Sequence, residues 1–140
     1  MVTQDEIKVE LIVSGFDAHE DVTKLVGLKP TKIIHKGEGI RTLQQENPQS
    51  ALYTENMWIL SSGGRESLDI ETQLDLLLDK LWPLRTQVSD LNKKYEAEVS
   101  VHGYVYHSQL GMHIKPELFK RLASLNLPLD LDIYTLESED

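Results

Sequence analysis

Cysteine is absent from the chain, which removes disulfides, thiolate nucleophiles and cysteine-ligated zinc together while leaving the redox compartment open. Positive charge is scarce. Against 23 Asp and Glu there are 14 Lys and Arg, giving a formal net charge of −9 and an isoelectric point near 5.0. Nucleic-acid binding needs a basic stripe that displaces counterions, and the densest basic groups here are only Lys29/Lys32/Lys36 and Lys93/Lys94. No nucleic-acid partner is expected; such a surface suits solubility or steering toward a basic protein. Long apolar runs are also missing, so nothing approaches the roughly 18 residues of a membrane span. Residues 1–10 lack the basic and then apolar pattern of a secretory leader. A cytoplasmic protein without membrane attachment is the expectation.

What is present is ordinary globular composition, 40% hydrophobic and 26% charged over 140 residues, enough for one domain (1–140) with its own core. Residues 8–14 alternate as a strand. Asp17 with Glu20 has capping-box spacing before a short helix that Gly27 ends. Residues 31–35 suit a short edge strand, and 36–56 lack periodicity, a long loop of the kind that is often functional or mobile. Residues 53–61 regain strand character. From 68 to 95, Ile70, Leu74, Leu77, Leu81, Leu84, Val88, Leu91 and Tyr95 recur at steps of four and three, which predicts a long helix kinked at Pro83 or two abutting helices. Residues 97–107 alternate as a long strand, Pro116 opens a last helix, and 129–134 alternate again before the acidic tail 137–140. The expected fold is α+β: a mainly antiparallel sheet of four or five strands, helices on one face, and a ferredoxin-like plan of two β-α-β halves with the long helix inserted between them.

Several landmarks stand in order along the chain: Gly15-Phe16-Asp17, Thr23, Gly27-Leu28-Lys29-Pro30-Thr31, Lys36-Gly37-Glu38, Trp58, and Leu129-Asp130-Leu131-Asp132-Ile133-Tyr134. In that order and spacing the sequence resembles the bacterial domain of unknown function 4279 family over nearly its whole length. The resemblance implies a small bacterial domain of a kind that usually stands alone, and it brings no catalytic residues with it.

The chemistry must then come from the residues themselves. If helices cover Val99, Val101 and Val105, alternation turns His102, Tyr104 and Tyr106 to the other side, and does the same for Asp130, Asp132 and Tyr134 in the last strand. Imidazole, phenols and paired carboxylates on one face suit a polar ligand or a cation, and crowding raises a carboxyl pKa. A plain solvated sheet face has the same composition. The five histidines, His19, His35, His102, His107 and His113, lack compact ligand spacing and read as surface residues, with no metal expected. Lys36 with Arg41, and Arg65 after Ser61-Ser62-Gly63-Gly64, are weaker candidates for holding an anion in glycine-bearing turns. No phosphate-loop, dinucleotide or serine-nucleophile fingerprint is present, so no cofactor and no catalytic residue is expected. The leading expectation is a non-enzymatic binding domain, of the kind that neutralises a basic protein partner as an immunity protein does. A small-molecule sensor or enzyme using the His/Tyr/Asp face is the second. The third is a homodimer or larger assembly joined through the long helix.

Overall fold

The computed structural model describes residues 5–40, 52–66, 69–106 and 111–135. Strand β1 (Glu6–Ser14) lies at the centre of the sheet because its alternation provides an apolar side, Val9, Leu11 and Val13, that is essentially without solvent. It pairs antiparallel with β3 (Met57–Ser61) on one side and with β4 (Glu96–Val105) on the other. Strand β2 (Lys32–Ile34) extends the sheet antiparallel beyond β3, and β5 (Leu129–Thr135) lies parallel to β4 at the opposite edge. The order is β2-β3-β1-β4-β5.

The sheet is therefore mixed, and the ferredoxin-like plan is corrected in its second half. Helix α1 (His19–Val26) links β1 to β2 with β3 between them, a split β-α-β unit. The helix of the second half, here numbered α5 (Pro116–Ser124), joins β4 to an immediate neighbour, and a crossover between adjacent strands makes them parallel. With β3 on one flank of β1 and β4 on the other, the last strand adds outside β4.

The connector between the halves is broken into more pieces than the long helix kinked at Pro83, or the two abutting helices, expected over about 68–95. It comprises α2 (Ile70–Leu81), a 3-10 turn (Trp82–Leu84), and two helical turns, α3 (Arg85–Val88) and α4 (Leu91–Lys94). Pro83 has no N–H to offer the carbonyl of Asp79, so the α-helix tightens into a 3-10 turn, and Leu84 leaves the helical region at φ −108°, ψ 20°. The apolar phase survives because Leu74, Leu77, Leu81, Val88 and Leu91 all point into the same core and are fully buried. The Asp69 side chain caps α2 by accepting from the N–H of Thr72 at 2.8 Å, and hydrogen bonding to Thr72 holds its carboxyl below the ordinary range. The cap expected at Asp17 is not formed: α1 starts after Ala18 without a side-chain cap, and the Asp17 carbonyl accepts from Asn56 Nδ2 at 3.3 Å.

Two buried polar contacts fix helices to sheet. Trp58 Nε1 donates to Thr23 Oγ1 at 2.9 Å, tying β3 to α1, and Gln73 Nε2 donates to the Ile7 carbonyl at 2.6 Å, tying α2 to β1. Buried donors must be satisfied in this way to avoid a penalty of about 1–3 kcal/mol each. The 36–56 stretch closes at its described ends: Gly37 N–H donates to the Tyr53 carbonyl, Tyr53 N–H to Glu38, and Gly39 bridges Leu52. Positions 41–51 and the acidic tail 137–140 lie outside the described residues. Among the described residues no helix is long and apolar enough to cross a membrane.

Candidate functional site: an acidic open sheet face

Alternation along β4 buries Ala97, Val99 and Val101 in the core beneath the helices, and Val105 at its end is buried as well. The opposite face carries Glu96, Glu98, Ser100, His102 and Tyr104. Because β5 is parallel to β4 in a register of Ser100↔Asp130, His102↔Asp132 and Tyr104↔Tyr134, its polar side chains share that face. Strand β1 completes three rows across the sheet: Glu10–Ser100–Asp130, Lys8–His102–Asp132 and Glu6–Tyr104–Tyr134. Five of the six residues singled out from sequence alternation, His102, Tyr104, Asp130, Asp132 and Tyr134, thus belong to adjoining strands and one face. The rings of Tyr104 and Tyr134 stack with centroids 5.7 Å apart. Tyr106 lies just past the end of β4, half-buried, with its backbone N–H donating to Asp5 Oδ1 at 2.9 Å.

Glu98, Glu10 and Lys8 were not singled out, although the same alternation that selects His102 also selects Glu98. The electrostatics of Glu98 are the most informative on the face. Desolvation by its neighbours, followed by the negative charge of Asp130 and Asp132, raises the Glu98 carboxyl above its ordinary range. Asp130 is raised chiefly by sharing a hydrogen bond with Asp132. On β1, β4 and β5 the face holds the carboxylates Glu6, Glu10, Glu96, Glu98, Asp130 and Asp132 against the one ammonium of Lys8, itself 3.5 Å from Glu66. The arrangement favours a cation. Among the described residues no group of three or more His, Asp or Glu is placed to hold a metal ion.

Beside Glu98 the face sinks into an open hollow of about 410 Å³. Ile12, Met57 and Pro128 give it an apolar floor, and Glu55, Glu96 and Glu98 an acidic rim. Its wall at Asn92 is rigid: Asn92 Nδ2 donates to the carbonyls of Ala97 (2.9 Å) and Asn126 (2.7 Å), while Oδ1 accepts from Ala97 N–H (2.7 Å).

The weaker candidates are dispersed. Lys36 and Arg65 are exposed in separate turns, and Arg41 lies outside the described residues. The turn amides beside them are engaged within the chain: Gly37 N–H with Tyr53, Gly63 N–H with Ser61 Oγ, Gly64 N–H with Ser62 Oγ. Of the histidines, His35 and His113 are exposed and His102 half-buried, but His19 is buried, contrary to the expectation of a surface residue; its Nε2 lies 2.9 Å from the Ile34 carbonyl. His107 lies outside the described residues.

Fold and face together define a small α+β domain with a mixed five-stranded sheet, helix-covered on one side and acidic on the other. The chain belongs to the family described as domain of unknown function (DUF4279), whose sequence model matches residues 5–136. No curated protein and no solved structure matches it significantly.

Proposed function

We propose that this chain is a non-enzymatic binding domain whose open sheet face docks a basic protein partner. The observation that carries the reading is the imbalance on the face, six carboxylates named above on three adjoining strands with Lys8 as the one cation among them. Fields of one sign speed encounter with an opposite surface and disfavour partners of like charge. The stacked tyrosines at one end supply what acidic groups lack, a large apolar contact with few rotatable bonds. Neutralising a basic protein, the immunity-like role, is the specific form of this reading.

The test is capture of partners by the tagged chain from its own cells at low and high salt, beside a variant carrying Glu98→Gln, Asp130→Asn and Asp132→Asn. A stoichiometric basic protein held by the native chain, and lost both in high salt and in the folded variant, is the expected result. A partner that the variant retains equally well removes the face from the account.

The hollow supports a second reading, a small organic cation whose charge meets Glu55, Glu96 and Glu98 while its carbon chain rests on Ile12 and Met57. Thermal stabilisation by spermidine that disappears in Glu98→Gln would favour it; spermidine without effect at millimolar concentration would dismiss it for polyamines. Of the helical seam that suggested assembly, Ile70, Leu74, Leu77, Leu81, Val88 and Leu91 are buried in the domain's own core, and Leu84 and Tyr95 pack against it half-buried.

A further inference from the structure

The two edges of the sheet are built differently. Strand β2 is three residues long, follows Pro30 and carries Lys32, features that discourage further pairing. Strand β5 runs for seven residues without proline, glycine or lysine, and no strand among the described residues pairs with its outer side. Since Val99 N–H donates to the Pro128 carbonyl at 2.9 Å, the alternation of a parallel ladder turns the backbone groups of Asp130, Asp132 and Tyr134 toward β4. Those of Leu129, Leu131, Ile133 and Thr135 then face outward. The side chains are divided as well. Leu131 shares the helix-covered side with Val101, its partner in register, yet is 47% exposed where Val101 is fully buried.

We propose that the outer edge of β5 is a strand-addition site, taking an extended segment of the basic partner with Lys or Arg opposite Asp130 and Asp132 and apolar residues opposite Leu131 and Ile133. The inference rests on the basic-partner reading above and adds its mode of docking. Outward N–H and C=O groups supply the ladder, the alternating side chains supply the selectivity, and the guest covers the apolar side chain that the helices leave open. A second copy of the chain fits poorly. An antiparallel pair of β5 strands centred on Leu131 sets Asp130 against Asp132 of the other copy, and one centred on Asp132 sets that residue against itself, in both cases like charges directly opposite. The same aspartates that oppose self-pairing attract a basic strand.

The probe is the heptapeptide Lys-Val-Lys-Val-Lys-Val-Lys, compared with the same peptide N-methylated at its three valines. With the guest antiparallel to β5, the residues opposite Leu131 and Ile133 exchange hydrogen bonds with them, so valine N–H groups face β5 and methylation removes the ladder while keeping every charge. The native domain is expected to bind the methylated form at least about tenfold more weakly, the loss of two or three backbone hydrogen bonds. Amide exchange at Leu131 and Ile133 is expected to slow on binding the unmodified form. Equal, salt-sensitive binding of both peptides would overturn strand addition and leave electrostatic docking on the face intact. Binding of neither at low salt would overturn both. Slowed exchange at those amides that depends on domain concentration without peptide would assign the edge to a second copy and overturn the proposal. Leu131→Pro, which deletes an outward N–H and no bond to β4, is expected to reproduce the effect of methylation; if it fails to fold, the two peptides decide on the native chain.

Discussion

At the scale of single residues, the raised carboxyl of Glu98 makes a signed prediction. The folded chain holds that proton to a higher pH than the unfolded chain, whose reference value is 4.5. The unfavourable charge is therefore absent below that value and grows as pH rises through the folded pKa. Glu98→Gln, which ends both the desolvation cost and the repulsion by Asp130 and Asp132, is expected to stabilise the domain at pH 7 by no more than about 0.5 kcal/mol once solvent screening of this largely exposed group is allowed for, and to change little at pH 4; urea unfolding at the two pH values measures the difference. Asn92 is the opposite case, a polar side chain with three backbone contacts joining the start of β4 to the turn after α5. Asn92→Ala should cost about 1–3 kcal/mol, visible as a lower denaturation midpoint with an unchanged slope. Nothing in the sequence around it, Leu91-Asn92-Lys93, marks it as more than a helix-surface residue. Its importance comes from Asn126, which the fold brings to it from 34 positions away.

At the scale of elements, Gly103 governs how closely β5 approaches β4. A Cβ built there would stand 2.8 Å from Ile133 Cδ1, a contact that alanine can relieve by turning the isoleucine and valine cannot. Gly103→Val is expected to cost about 1–3 kcal/mol, as overpacked sites do, and to speed hydrogen exchange in β5 before β1. The elements themselves were largely legible. Alternation at Val99, Val101 and Val105 and at Asp130, Asp132 and Tyr134 located two strands and the outward side of each, because side-chain period depends only on local geometry. Two features were not legible. The stripe from Ile70 to Leu91 keeps its phase across Pro83, so periodicity reports one helix where the hydrogen-bond ladder breaks; phase records where the core lies, whereas the ladder depends on Pro83 and the dihedrals of Leu84. The parallel setting of β5 depends on which edge of the sheet it joins. That is a property of the assembled sheet, and no window of sequence carries it. Hence the face of the candidate site could be read from sequence, while the rows that make it up, and the part of Lys8 and Glu10 in them, required the register.

For the whole molecule, an excess of nine negative charges sets residues against one another at distances longer than any ion pair. Raising sodium chloride from about 20 mM to about 0.5 M shortens the screening length from roughly 20 Å to under 5 Å. The melting temperature is expected to rise with it, since repulsion is relieved more than the exposed bridges, such as Lys93 with Asp90, are weakened. A scanning calorimetry series in salt measures this, and a falling melting temperature would mean that ion pairing outweighs repulsion. The central place of β1 has another consequence, in time. Val9 pairs with Val101, roughly ninety residues later in the chain, and at 5–20 residues per second a ribosome needs roughly 5–18 s to deliver that partner. Throughout that interval Val9, Leu11 and Val13, which end in the driest part of the sheet, have no β4 to close over them. The strand that organises the finished sheet is thus made well before the partner that lies along its far side, and the nascent chain must keep it from other company until then.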